Sequence, residues 1–317
     1  MFLGFLLITI SAVSLFTFSA LTAFSERHYL ISLLISFINA LLLVDIYTQF
    51  RQEKFHFLQL QKKDFLIVVF CSIGAIAAYI LNVNIGLGAI IASALVGLLG
   101  AVLVPKYAIS IYCGSFVGMV SPLVLHDFHH VVLAGIMSGV ILMLAEDVYE
   151  GYGGKLGATA FIPWIILTVL NNVQLITPQS LSLSIMAEVL IFSALSAFLT
   201  YVIAQRLKHD VVTASSLVSL LAGLILPAVF RTNGSYFAAV AMSASFAGMS
   251  SKKIIKNELQ MLVVSLLLGI MFVCSYCQFG GAGGKLGTLA FASVIAYKGA
   301  EVLFHFIIKK YLSNSKK

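Results

Sequence analysis

The stretch Gly153-Gly154-Lys155-Leu156-Gly157 recurs letter for letter as Gly283-Gly284-Lys285-Leu286-Gly287. Unpaired backbone N–H groups at a helix start favour an anion, and glycine lets a ligand approach the backbone closely. A lysine in that position opposes the helix dipole by up to about 1 kcal/mol, so a compensating group is expected beside it. Glu146, Asp147 and Glu150 precede Lys155 and can serve. The matching positions before Lys285 are Tyr276, Cys277 and Gly280, which offer no acid. The second copy therefore points more strongly to a bound anionic group. The spacing is not that of a phosphate-binding P-loop.

A second pattern, Ser115-Phe116-x-Gly118-Met119, recurs as Ser245-Phe246-x-Gly248-Met249. Short segments interrupted by Gly or Pro, at matching places in two halves, mark a transporter's central site. Small residues also allow tight helix packing, which is the plainer reading. Ionisable residues inside apolar runs are costly and become functional candidates. Glu188, Lys298 and Glu301 are such residues, and Lys298 and Glu301, three apart, can neutralise each other. A shift of 130 residues sets Thr168 on Lys298 and Asn171 on Glu301, giving a polar face in both halves. Glu188 or Glu301 is the expected carrier of a coupling proton, whereas Asp45 is expected at the membrane interface. His126, His129 and His130 crowd one loop with Asp127, a set suited to Zn²⁺ or Cu²⁺. Cys274-x-x-Cys277 has a redox spacing, but its mates at the same shift are Leu144 and Asp147. No nucleophile–base pair is identifiable by spacing.

The elements that position these residues follow from composition. Hydrophobic residues make up 61% of the chain and charged residues 10%, with a mean hydropathy of +1.06. Soluble domains carry about 25% charged residues, so the expectation is an all-α polytopic membrane protein without a sizeable soluble domain. Apolar runs predict about twelve transmembrane helices, over 1–24, 29–50, 65–83, 85–104, 107–122, 131–149, 157–176, 181–204, 211–230, 235–250, 258–279 and 287–309. The first run lacks a basic n-region and is expected to remain as a helix.

Sliding the chain by 130 residues gives fourteen identities across 115–161, where chance gives about four. Upstream the offset changes, so that Pro105 falls on Pro227. Each repeat holds five spans, an odd number, so the expected architecture is a 5+5 inverted-topology repeat plus an N-terminal two-helix hairpin. The expected units are the hairpin and its cytoplasmic loop (1–64), repeat 1 (65–176), the inverted repeat 2 (181–309) and a basic tail (310–317). With both termini cytoplasmic, fifteen Lys and Arg residues fall in inside loops and three in outside loops. The net charge of +7 then reports topology and anionic lipid rather than nucleic acid.

These readings converge on a secondary transporter in a bacterial inner membrane, moving a small polar, anionic solute by alternating access. Its expected site is lined by Ser115, Gly118, Ser245 and Gly248 with Gly153, Gly154, Lys155, Gly283, Gly284 and Lys285. Proton or sodium coupling and a homo-oligomer fit this scheme, which needs no cofactor. The alternatives are a passive channel with a pseudo-twofold pore, or a membrane-embedded redox or metal-dependent enzyme.

Overall fold

In the computed structural model the described residues are 1–53, 55, 61–124, 127–173, 175–178 and 182–314. Among them the chain is all-helical, without a named strand. The helices are α1 (Phe2–Ser25), α2 (Tyr29–Gln52), α3 (Lys62–Tyr79), α4 (Ala89–Leu103), α5 (Ala108–Val117), α6 (Phe128–Leu144), α7 (Lys155–Leu170), α8 (Met186–Gln205), α9 (Val211–Val229), α10 (Gly234–Gly248), α11 (Glu258–Ser275) and α12 (Lys285–Asn314). Seven of these are long and apolar enough to cross a membrane, namely α1, α2, α3 with its extension, α8, α9, α11 and α12. Large apolar side chains also face outward, such as Leu30 (84% exposed) and Val102 (68% exposed). Apolar surface of that kind is at home against lipid, and the chain has the make-up of an integral membrane protein.

All twelve expected helices exist, with shifted ends. The largest difference is at α7, which stops at Leu170 rather than 176. Helix α5 stops at Val117 rather than 122. Its last turns tighten to i→i−3 bonds, and the Ser121 N–H then leaves the helix to donate to Gly281 O at 2.8 Å. The same happens at the end of α10, where Ser251 N–H donates to Gly151 O at 2.9 Å. A π-helical turn, Ile80–Asn84, extends α3 and lets Asn82 Nδ2 donate to Gly118 O and Val120 O. Those carbonyls would otherwise lack partners at the end of α5. Helix α6 ends at Leu144 rather than 149, where the bonds tighten to i→i−3 at Ala145, Glu146 and Val148 before left-handed backbone at Tyr149 and Gly151.

Helix packing follows one plan on both sides of the molecule. Helix α3 packs on α5 and α6, and α8 packs on α10 and α11. The two sets meet where α4 lies on α9 and α7 lies on α12. At the centre of the second seam the backbones nearly touch. A Cβ on Gly157 would lie 2.3 Å from Gly287 Cα, and one on Gly287 would lie 2.5 Å from Gly157 Cα.

The hairpin α1–α2 clasps the same seam, with α1 against α6 and α7 and α2 against α12. Gly299 on α12 permits this, since a Cβ there would sit 2.0 Å from Leu41 O. Asp45, expected at the interface, is instead buried between elements. Tyr152 Oη donates to its Oδ2 at 3.1 Å, and Gln49 Nε2 donates to Tyr152 Oη at 2.8 Å. Burial, reinforced by the Asp45 carboxylate, pushes the Tyr152 hydroxyl above its ordinary range, which keeps it a proton donor. Asp45→Ala is expected to leave this hydroxyl without its acceptor and cost about 1–3 kcal/mol. A lowered thermal-unfolding midpoint in detergent would register that loss, and Asp45→Asn should recover much of it.

Candidate functional site

Each Gly-Gly-Lys-Leu-Gly stretch forms a turn that enters a helix, and each turn is seated on the other half of the molecule. Gly154 and Gly284 take left-handed backbone, at φ of 81° and 84°, immediately before α7 and α12. Gly153 lies under Phe246 O and Ala247 O, and its N–H donates to Ser250 Oγ at 3.0 Å. Gly283 lies in the matching place under Phe116 O and Val117 O. A Cβ on either glycine would come within 2.5 Å of a backbone carbonyl oxygen. That close approach is why the motif is glycine-rich.

The lysines are compensated in a way spacing did not suggest. Lys155 Nζ donates to Glu146 O at 2.9 Å, and Lys285 Nζ donates to Tyr276 O at 2.7 Å. These carbonyls follow the C-terminal ends of α6 and α11, where a helix dipole favours a cation. Lys285 also lies over the Tyr276 ring, 5.6 Å from its centroid. Among the described residues neither lysine forms an ion pair, and each ammonium has three donors. One donor is used by the backbone, and the side chain borders open space.

That space consists of two cavities. One, of about 330 Å³, is lined by Lys285, Leu286, Tyr276, Gly281, Ala89, Ile90 and Met119. The other, of about 410 Å³, is lined by Lys155, Leu156, Gly153, Tyr152, Lys63, Lys106, Glu146, Glu150 and Met249. Ala89 begins α4 and Lys106 follows its end, so the cavities occupy opposite ends of the bundle. Both share two lining residues, Phe116 and Phe246. Their rings are 4.6 Å apart and tilted by 47°, and both are almost wholly buried. These two rings therefore border both cavities, with the Tyr112 ring packed against them.

The Ser-Phe-x-Gly-Met pattern now has a role at each position. The serines anchor the helices. Ser115 Oγ donates to Tyr112 O at 2.7 Å and pairs with Ser93 Oγ at 2.8 Å. Ser245 Oγ donates to Met242 O at 2.8 Å and pairs with Ser215 and Ser219 at 2.9 and 2.8 Å. Gly118 and Gly248 let α5 and α10 approach α3 and α8, since a Cβ would meet Ala75 O at 2.4 Å or Ala197 O at 2.7 Å. The methionines line one cavity each. Ser115, Gly118, Gly283, Ser245 and Gly248, expected to line a site, are not among the cavity-lining residues, whereas Gly153, Gly154, Lys155, Gly284 and Lys285 are. Trp164 Nε1 donates to Val117 O at 3.0 Å and holds the backbone beside Phe116.

The expected coupling residues lie elsewhere. Glu188 sits in the first turn of α8 rather than seven residues into a span, a place where the helix dipole favours an acid. Asn171 closes the end of α7, donating to Leu167 O at 2.9 Å. Lys298 and Glu301 are paired, and Lys256 approaches Glu301 at 3.6 Å. None of these four expected coupling residues lines either cavity. His129 and His130 lie together at the start of α6, while His126 falls outside the described residues. Cys274 and Cys277 are both free thiols. The phenylalanine pair and Tyr152 were missed from sequence, although Phe116 and Phe246 stood at matching places within the repeated pattern. No protein-family model matches the chain, and no curated protein or solved structure matches it.

Proposed function

We propose that the chain conducts a small anionic or polar solute across a membrane, along a path from the Lys155 cavity past Phe116–Phe246 to the Lys285 cavity. The observation that carries this reading is the pair of lysine-bearing cavities that border the same two aromatic rings. A ring of apolar side chains gates by excluding water, and lysines at pore mouths favour anions. A volume of about 330 Å³ corresponds to about ten water molecules, which limits the solute to a small one.

The reading includes two five-helix repeats of opposite orientation with the α1–α2 hairpin outside them. Its support is the exchange of equivalent contacts under one shift: Ser121 with Gly281 against Ser251 with Gly151, and Lys155 with Glu146 against Lys285 with Tyr276. Lysine distribution in the loops favours cytoplasmic termini, with the Lys155 cavity inside and the Lys285 cavity outside, in a bacterial plasma membrane.

Cavities at both ends are present in one conformation, which suits a channel. Alternating access is the second reading, favoured by the matched halves. The cross-bonded turns and touching glycine backbones oppose it, because rocking one half on the other would break them. Flux of a panel of small anions and neutral solutes into proteoliposomes tests both readings. Lys155→Gln and Lys285→Gln should each reduce anion flux by about tenfold or more, since one charge a few ångströms away is worth about 1–4 kcal/mol. Unchanged anion flux in both folded variants would remove the lysines from the mechanism. Uphill accumulation driven by a proton or sodium gradient would select the carrier, and absence of flux for the whole panel would end the proposal.

A further inference from the structure

Asp127, His129 and His130 stand at the start of α6, beside the loop whose Ser121 is bonded to Gly281. Their ligand atoms all lie within 4.8 Å of one another. Consecutive residues on a helix do not ordinarily face each other. Here the His129 and His130 rings nevertheless converge, with centroids 4.0 Å apart. His130 Nδ1 is buried and, among the described residues, has no hydrogen-bond partner, a cost that a bound group would remove. Asp127 occupies the N-cap position but makes no side-chain cap bond, so its carboxylate is not committed to the helix. His129 Nδ1 lies 4.0 Å from its Oδ2.

We propose that these three side chains form a binding site for one borderline divalent transition-metal ion, with Zn²⁺ the best fit. A carboxylate and two imidazoles suit such an ion, and a three-ligand protein site leaves its fourth tetrahedral position to water. Asp127 and His129 are about two-thirds exposed, so their side chains are free to close onto an ion at about 2.0–2.2 Å. His130 is held by the helix and sets the direction of approach. Site and ion lie at the end of the bundle that holds the Lys285 cavity, and the inference does not depend on what that cavity conducts.

The test is calorimetric titration of ZnCl₂ into the purified full chain, with any affinity tag removed. A Cys274→Ser/Cys277→Ser background prevents capture by the other plausible ligands. One equivalent per chain is expected, weakened by at least about tenfold in His129→Ala and in His130→Ala. Co²⁺ substitution should give the visible absorption of a tetrahedral nitrogen–oxygen site, lost in the same variants. Absence of saturable binding at micromolar Zn²⁺, or equal affinity in the double histidine variant, would overturn the site. Unchanged thermal unfolding of the metal-free variants shows that any loss is of ligands rather than of fold.

Discussion

Shrinking either ring of the Phe116–Phe246 pair is expected to raise solute flux by about tenfold or more. On the proposed path the two rings, which border both cavities, form the apolar barrier, and passage of a polar solute past them costs desolvation. A reduction of that cost by about 1.4 kcal/mol is already a factor of ten in rate. Truncation of a buried Phe to Ala also costs about 3–5 kcal/mol of stability, so Phe116→Leu and Phe246→Leu are the better variants. Each removes the ring edge while keeping most of the packing volume. Proteoliposome flux should rise in both, and Phe116→Trp should lower it. Equal flux in folded variants would place the path elsewhere.

Gly157→Val is expected to abolish the folded state. Its Cβ would fall 2.3 Å from Gly287 Cα and 3.0 Å from Gly284 O, all backbone atoms that no rotamer can move. Overpacking of a core costs about 1–3 kcal/mol when side chains can yield, and more is expected here. Native domains are stable by only about 5–15 kcal/mol, so the loss is a large share of the total. Gly86→Ala is the control, having a left-handed φ of 81° but nothing within 4 Å of the added carbon. It carries backbone strain alone, about 1–3 kcal/mol. Yield of monodisperse protein and the thermal midpoint should separate the two variants clearly.

The helices were legible because a run such as 211–230 holds no charged residue and is bounded by Asp210 and Arg231, which decides the matter locally. The ends of α5 and α6 were less so, since they depend on where a backbone N–H finds its partner. Ser121 bonds to a residue 160 positions away, and no local propensity encodes that. The glycine-lysine turns were found from repetition, and both line cavities. The partner of each lysine was not found, because a backbone carbonyl has no residue type to read. Phenylalanines in an apolar run look like any core residue. Only the shared register of Phe116 and Phe246 within the repeated pattern held the information. Glu188 was displaced in the reading because α8 starts at Met186, five residues later than the apolar run suggested.

The seating of each glycine turn on the opposite half imposes an order on biosynthesis. Two hydrogen bonds of the turn at Gly151–Gly154, from Gly153 N–H and to Gly151 O, are made with Ser250 and Ser251, about a hundred residues downstream. When α7 leaves the ribosome those partners have not been made, so the turn must wait with these two backbone groups unpaired. Water or the insertion machinery has to satisfy those groups in the interval, since hydrocarbon cannot. Pausing of translation between α7 and α10 would therefore prolong the time these groups spend without their partners.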